Sequence, residues 1–225
     1  MKAGLIIAVD GPSGSGKSSS SRLLADRLSY RYVDTGALYR IIGLLAVEQD
    51  VSSEDSERLA LLCEGLALQF LPEAHGVRIF LGERDISAEI RRPEVSQMAS
   101  KVSAQPAVRQ RLLSLQRELG GGGSVVMEGR DIGTVVFPKA DVKFYLDASP
   151  DIRGRRRYVE LQQEGIATDL RETIQEMAER DQRDSRRAHS PLQRAEDAVF
   201  IDTTSLSLVE VVETMVRTVQ TTCKC

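Results

Sequence analysis

The chain has 225 residues, of which 41% are hydrophobic and 28% charged, as is typical of one soluble globular domain with an appended lobe. Its net charge of −3 argues against non-specific binding to nucleic acid or membranes as the main function. The apolar run at residues 5–9 is too short for a signal peptide or a membrane span. The cysteines, Cys63, Cys223 and Cys225, form no disulfide framework, so we expect a reducing compartment, the cytoplasm.

The predicted elements alternate between strands and helices along most of the chain. Apolar runs and short β-rich runs predict strands at 5–9, 31–33, 124–127, 141–146 and 198–201. Helical spacing predicts helices at 17–28, 37–48, 94–103, 107–119, 170–188 and 206–218. Ser53, followed by Glu54 and Asp55, is expected to cap a further helix. Such alternation implies parallel strands with right-handed crossovers, so we predict an α/β fold in which helices flank a parallel sheet.

The hydrophobic period changes between residues 66 and 92. Leu66, Leu68 and Phe70 are large apolar residues at every second position, and a second alternating run covers 77–81. Residues 72–76 are expected to form the turn between these runs, and a third short strand follows. We predict a small antiparallel β lobe inserted into the α/β chain.

Residues 11–18, GPSGSGKS, form a glycine-rich turn between a predicted strand and a predicted helix. The glycines let the backbone approach a ligand closely, and the turn and the helix N-terminus direct N–H groups at one point. Lys17 adds a charge aimed at the β- and γ-phosphates, and the Ser18 hydroxyl is placed to ligate Mg²⁺. A flexible linker would need neither this lysine nor a buried strand before it. We therefore predict a phosphate loop that binds a nucleoside triphosphate through Gly11, Pro12, Ser13, Gly14, Ser15, Gly16, Lys17, Ser18 and Ser19.

Charged residues also follow two other predicted strands, where a parallel sheet presents ligand-binding groups at its carboxyl edge. One strand leads into residues 34–40, and another ends at Glu128, with Arg130 and Asp131 just beyond it. An acid in this position holds Mg²⁺ or its water shell in phosphate-loop enzymes, so Glu128 is a metal candidate and Asp10 a weaker one. Arg130 and Asp131 could instead form an idle surface ion pair, but their place at the edge favours a function.

Arginines are concentrated in two clusters in the second half of the chain. A predicted helix places Arg180, Asp184 and Arg187 on one face, at i, i+4 and i+7. Residues 153–157 hold the other cluster. One charged helix face is usually just solvated, but two arginine clusters beside a phosphate loop suit phosphoryl transfer, because the transferred group spreads its charge over several oxygens. The chain has no Asn-Lys-x-Asp motif for a GTPase and is too short for a motor or transporter ATPase, so we predict a small kinase.

Four stretches of the chain resemble the bacterial cytidylate kinase family in order and spacing. They are GPSGSGKS at 11–18, DTGALYR at 34–40, EGRDIGTVVFP at 128–138 and ERDQRD at 179–184. The similarity extends over residues 4–219, and GRDIGTVVFP is far more particular to this family than the phosphate loop. The resemblance implies a single P-loop NTPase domain over residues 1–225, with an NMP-binding lobe at 66–92 and a helical lid at 150–168. It also implies transfer of the γ-phosphate of MgATP to CMP or dCMP, with ATP and Mg²⁺ as cofactors.

The same resemblance implies a role for each acceptor-site residue. The CMP phosphate would be bound by Thr35, which keeps the hydroxyl of the serine found in some relatives, and by Arg40, Arg130 and Arg187. Cytosine would be read by Ser100, Arg109 and Asp131, and the ribose would be held by Arg180 and Asp184. The catalytic charges would be those of Lys17, Arg130, Arg180 and Arg187, and ATP would also meet the lid residues Arg153, Arg156 and Arg157. An acid with Arg and Ser donors suits the amino group and acceptors of cytosine, whereas uracil would place a carbonyl against the acid.

Two alternatives stay open from the sequence. A kinase of uridylate, adenylate or shikimate would share the loop and the lid but not the cytosine-reading residues. A nucleotide-dependent sensor would bind ATP without an acceptor, and turnover with an acceptor would distinguish it. We expect a monomer that acts on small molecules and binds neither nucleic acid nor membranes.

Overall fold

The computed structural model describes residues 4–73 and 76–222 and confirms the predicted α/β class. In chain order, the strands are β1 (Ile6–Asp10), β2 (Arg31–Asp34), β3 (Leu68–Glu73), β4 (Gly76–Leu81), β5 (Arg84–Asp85), β6 (Val125–Gly129), β7 (Val142–Asp147) and β8 (Val199–Asp202). The helices are α1 (Lys17–Leu28), α2 (Thr35–Glu48), α3 (Ser56–Leu62), α4 (Pro93–Val102), α5 (Pro106–Gly120), α6 (Pro150–Gln163), α7 (Leu170–Arg186) and α8 (Leu208–Thr222). A 3₁₀ turn at Glu89–Arg91 and a π-helical segment at Ile132–Val136 complete the described elements.

The described part of the chain divides into two compact units. The first unit comprises the chain up to Asp34 and from Leu119 onward, and the second comprises Thr35–Glu118. The segment 66–92, predicted as the inserted lobe, lies within the second unit. Among the described residues, no helix has both the length and the apolar character needed to span a membrane. Cys223 and Cys225 lie outside the described residues.

A parallel sheet with the strand order β2-β6-β1-β7-β8 forms the centre of the first unit. Its middle strands are apolar and buried, as both covered faces of a parallel sheet require, and Ile7, Val126 and Phe144 are all less than 2% exposed. α1 and α8 pack on these strands through Leu24 and Met215. Because neighbouring strands run parallel, the carboxyl ends of β1, β2 and β6 meet at one edge.

The predicted antiparallel strands occur in the second unit, where β4 pairs with both β3 and β5. β3 continues through Pro72 and Glu73, which pair with Val77 and Gly76, so the expected turn at 72–76 is too long. Residues 74 and 75 lie outside the described residues. Arg84 of β5 forms ion pairs with Glu48 of α2, at 2.6 Å, and with Glu89, which tie the small sheet to the helices of this unit.

Several predicted helix boundaries are wrong. The last helix, predicted at 206–218, is Leu208–Thr222, and two further differences concern the cap of α3 and the end of α7. The cap of α3 is Asp55 and not Ser53, because the Asp55 side chain accepts the backbone N–H of Arg58 at 3.0 Å. α7 ends at Arg186 and not at Ala188, and Arg187 has an extended backbone with φ −58° and ψ 135°. Arg187 therefore does not continue the helical face of Arg180 and Asp184.

We expect Gly43→Ala to destabilise the second unit. A Cβ on Gly43 of α2 would lie 2.9 Å from both the Val95 carbonyl oxygen and the Ala99 nitrogen of α4, so the two helices would have to separate. The clash with backbone outweighs the gain in helix propensity, and the free energy of unfolding should fall by about 1–3 kcal/mol. Thermal melting followed by circular dichroism measures this.

Val47→Ala is the matched control for Gly43→Ala, because Val47 lies on the same helix and is 38% exposed. Its effect should stay within about 0.5 kcal/mol. A Gly43→Ala protein that melts at a higher temperature than the unchanged chain would contradict the close approach of α2 and α4.

Candidate active site

The predicted phosphate loop joins β1 to α1, which begins at Lys17. All three of its glycines have positive φ, so a side chain would strain each of them, and two of them also lack the space for a Cβ. Gly11 has φ +150°, and a Cβ there would lie 2.0 Å from the Leu146 carbonyl oxygen. Gly14 has φ +72°, and a Cβ there would lie 2.7 Å from the Arg153 carbonyl oxygen. The loop is thus held close to the neighbouring backbone while the N-terminus of α1 opens beside it, as a phosphate cradle requires.

Lys17 is a buried lysine, only 7% exposed, whose Nζ donates to the Pro12 carbonyl oxygen at 3.1 Å. Burial lowers the pKa of Lys17, and the charge of Arg130 lowers it further, while Glu128 opposes both effects. The ammonium is therefore poorly solvated, and a bound polyanion would stabilise its charged form. This is the environment expected for a residue that binds triphosphate.

Ser18 and Glu128, predicted as metal-binding residues, are in contact. The Ser18 hydroxyl donates to Glu128 Oε2 at 2.9 Å, and the Tyr32 hydroxyl donates to Glu128 Oε1. Burial raises the pKa of Glu128, and the adjacent Asp34 raises it further, while Lys17 opposes them. Among the described residues, no group of three or more His, Cys, Asp or Glu side chains could hold a metal. Ser18 and Glu128 nevertheless supply the oxygen ligands that Mg²⁺ prefers beside a phosphate site.

Asp10, the weaker metal candidate, is used to hold the backbone that follows β6. Its carboxylate oxygens accept the N–H groups of Ile132 and Gly133 at 2.8 and 2.7 Å. Burial raises the pKa of Asp10 to about 7, although both of these hydrogen bonds oppose that change. Asp10 therefore anchors the π-helical segment directly after Asp131, itself 4% exposed.

Arginine side chains from separate elements of the first unit converge on Asp184, which is 3% exposed. Arg130 Nε donates to Asp184 Oδ2 at 3.3 Å, Arg180 Nε lies 4.0 Å from the same oxygen, and Arg187 lies 3.8 Å from Oδ1. Burial alone would raise the pKa of Asp184, but the arginines lower it below its usual value. The structure thus brings these predicted acceptor-site residues together, and the excess positive charge around one carboxylate suits a phosphate.

The arginines of the predicted lid lie on α6 and contact neighbouring protein groups. Arg153 is buried and pairs with Asp181 of α7, and its guanidinium also donates to the Ala148 carbonyl oxygen at 3.0 Å. Arg156 donates to the carbonyl oxygen of Thr203 at 2.7 Å, and Arg157 pairs with Glu160 at 2.8 Å. A direct contact between these arginines and ATP stays a prediction.

The remaining predicted substrate residues belong to the second unit. Thr35 is buried at the start of α2, and Arg40 lies half-buried one turn further on. The Ser100 hydroxyl on α4 is buried and has no hydrogen-bond partner among the described residues. Arg109 of α5 donates to the Ser103 carbonyl oxygen at 3.0 Å. A buried hydroxyl without a protein partner is suited to a ligand.

Sequence reasoning missed three residues of these sites. Tyr32 binds Glu128, and Thr203 donates to the Ser15 carbonyl oxygen of the phosphate loop at 3.0 Å. Tyr39 lies beneath Arg109, whose guanidinium carbon is 5.4 Å from the ring centroid. Tyr32 alternates with Asp34 on β2, so the two-residue period of a strand could have placed it on the same face. No local pattern marks Thr203.

A phosphate loop at the end of a central parallel strand, with a buried lysine and converging arginines, defines a P-loop kinase. The sequence model of the family described as cytidylate kinase matches residues 7–221. The chain belongs to the cytidylate kinase family.

Individual relatives agree with this assignment. The cytidylate kinase of Geobacter sp. (strain M21) is 51% identical over 96% of this chain and 93% of its own. The cytidylate kinase of Syntrophotalea carbinolica is 49% identical over 97% of this chain and 93% of its own. The fold is similar to that of an uncharacterized protein from Eubacterium ventriosum, with a TM-score of 0.53 at 12% identity over 96% of this chain and 98% of that one.

Proposed function

We propose that this protein transfers the γ-phosphate of MgATP to CMP or dCMP and releases ADP with CDP or dCDP. The observation that carries the proposal is the arrangement of Arg130, Arg180 and Arg187 around Asp184, in the same unit as the phosphate loop. A sensor of ATP has no need of such an anion site beyond the loop. Membership of the cytidylate kinase family supports cytidine nucleotides as the acceptors.

The charged groups divide into a donor set and an acceptor set. Lys17 and the backbone of the phosphate loop bind the donor phosphates, and Arg130 and Arg187 bind the acceptor phosphate. An acceptor phosphate is already anionic near neutral pH and needs no strong general base, so catalysis rests on positioning and on stabilising the charge of the transferring group. Arg180 and Asp184 hold the ribose, as the family resemblance implies.

Ser18 and Glu128 are the residues that would hold Mg²⁺. Their contact, and the hard oxygen donors they offer beside Lys17, fit this ion. Bound Mg²⁺ would neutralise charge on the donor phosphates. The Ser18 hydroxyl contributes a ligand oxygen, and Glu128 orients that hydroxyl by accepting its proton in a hydrogen bond.

Cytosine recognition is assigned to Ser100, Arg109 and Asp131. The buried Ser100 hydroxyl has no hydrogen-bond partner within residues 4–73 and 76–222, which supports this assignment, because such a group is costly unless a ligand bonds to it. The enzyme is expected to be a cytoplasmic monomer with small-molecule partners.

The test is ADP release from MgATP with CMP, dCMP, UMP, AMP or shikimate supplied separately. CMP and dCMP should be used with kcat/KM values at least about 100-fold above those of the other acceptors, because each wrong acceptor leaves buried polar groups unpaired. A Lys17→Met protein purified in the same way is the blank for contaminating kinases. Efficient turnover of another acceptor would overturn the cytosine assignment, and turnover of none would favour a sensor.

A further inference from the structure

The carboxylate of Glu128 is held from two sides within the first unit. Ser18 donates to one oxygen at 2.9 Å, and Tyr32 donates to the other. Because Glu128 is only 1% exposed, bulk water offers little replacement for either hydroxyl. Losing one of them would leave a buried carboxylate oxygen short of a donor, which is costly.

The ring that carries the Tyr32 hydroxyl is fixed in direction. In the parallel pair of β2 and β6, Tyr32 lies opposite Val126 and Asp34 lies opposite Glu128. Side chains two residues apart share a face of the sheet, so Tyr32 and Glu128 lie on the same face. The Arg22 guanidinium lies 5.7 Å from the ring centroid, and the ring packs against the hydrophobic core of the first unit. The packing of the ring therefore fixes the direction from which the Tyr32 hydroxyl donates to Glu128.

Tyr32 is a hydrogen-bond donor near neutral pH, because an ordinary tyrosine phenol loses its proton only at about pH 10. A neutral phenol has one O–H proton, and here that proton is directed to Glu128. The tyrosine thus fixes the carboxylate without adding charge.

The orientation of Glu128 decides what the Ser18 oxygen can do. A serine hydroxyl has one proton and two lone pairs. When its proton is committed to Glu128, the lone pairs are free for a cation, whereas a displaced carboxylate would release the hydroxyl to rotate. We propose that Tyr32 is a positioning residue for the nucleotide-bound metal, acting through Glu128 on the Ser18 hydroxyl. This rests on the proposed use of MgATP.

The test compares metal binding in the full-length protein with and without the Tyr32 hydroxyl. Mn²⁺ is titrated into the protein–ADP complex and followed by electron paramagnetic resonance, and ADP binding is measured separately in EDTA by calorimetry. Tyr32→Phe should weaken Mn²⁺ binding about tenfold, the scale of one hydrogen bond to a charged group. Its affinity for ADP in EDTA should change by less than about twofold, because the phosphate loop is untouched.

Tyr30→Phe is the matched control, because it also removes a phenol hydroxyl. The Tyr30 hydroxyl lies 3.4 Å from the Leu5 nitrogen, just before β1 and so at the end of that strand away from the phosphate loop. It should leave Mn²⁺ affinity unchanged. In a Glu128→Ala background, Tyr32→Phe should have no further effect, because the carboxylate through which it acts is gone. Melting temperatures report whether each variant is folded.

Equal Mn²⁺ affinities for Tyr32→Phe and Tyr30→Phe would overturn the proposal. The proposal would also be overturned if Tyr32→Phe lost as much affinity for ADP in EDTA as it loses for Mn²⁺. The tyrosine would then support the phosphate loop in general and not the metal site. The titration contains no acceptor nucleotide. Failure to phosphorylate CMP therefore contradicts the proposed function alone, and normal CMP turnover with unchanged Mn²⁺ affinity contradicts the role of Tyr32 alone.

Discussion

Arg130→Ala should lower kcat/KM for CMP by about 10³-fold while leaving KM for ATP almost unchanged. The guanidinium of Arg130 lies 3.3 Å from Asp184 Oδ2, and its side chain is only 17% exposed. Solvent screens such a charge weakly, so its attraction to a phosphate is stronger than that of a surface arginine. Asp184 keeps Arg180 and Arg187 as neighbours, and the variant should therefore fold. Steady-state rates with each substrate varied in turn measure the effect.

Arg78→Ala is the control for loss of an arginine. Arg78 pairs with Glu73 at 2.6 Å, but both side chains are 49% exposed, and such pairs contribute about 0–1 kcal/mol. Its kinetic constants should be those of the unchanged enzyme. Arg130→Lys should recover only part of the activity, because it restores the charge without the planar fork. Full activity of Arg130→Ala would contradict a place for Arg130 in the acceptor site. So would a rise in KM for ATP as large as the rise in KM for CMP.

The phosphate loop and the parallel sheet could be predicted because their signals are local. Gly11 and Gly14 need backbone positions that side chains would obstruct, and the short apolar run that ends at this glycine-rich turn predicts a buried strand. This prediction does not depend on the order of the strands, because an alternating chain with right-handed crossovers places the carboxyl ends of all its parallel strands at one edge of the sheet. The residues after β1, β2 and β6 were therefore expected at one edge before any contact was known.

The end of α7 could not be predicted from helical spacing, because contacts made by the loop that follows it determine it. Residues 185–188 carry no helix-breaking glycine or proline. In the structure the Asp184 carbonyl oxygen accepts the N–H of Leu192 at 2.8 Å and Arg187 Nε at 3.2 Å, in place of the N–H of residue 188. Arg187 still reaches Asp184, but from an extended backbone and not from the helical face that spacing predicts.

The π-helical segment after Asp131, in contrast, depends on a long-range contact. Its sequence, IGTVV, is rich in β-branched residues and by local propensity favours a strand. The carboxylate of Asp10, more than 120 residues away in sequence, binds the first two N–H groups of the segment. The sequence identifies a buried acid next to a phosphate loop as a candidate functional residue. It does not identify the hydrogen-bond partners of that acid, because any nearby backbone N–H group could donate to it.

Lys17→Met should have the other large effect, a fall in kcat of about 10³-fold with both substrates saturating. Methionine keeps the apolar length of the side chain, so the buried position is filled and the fold is retained. What is lost is a poorly hydrated ammonium, 7% exposed, beside the phosphate loop. Such a charge stabilises the extra negative charge of the transition state more than that of the bound substrate, so the loss should appear in kcat. Single-turnover rates with ATP and CMP measure it directly.

Lys101→Met is the matched control, because Lys101 lies exposed on α4 in the second unit. Lys17→Arg should be nearly as inactive as Lys17→Met, since the longer, planar guanidinium does not fit where Nζ lies 3.1 Å from the Pro12 carbonyl oxygen. If Lys17→Met instead raised KM for ATP and left kcat intact, the lysine would bind the donor phosphates equally in the ground and transition states. The charge stabilisation of phosphoryl transfer would then rest on the arginines around Asp184.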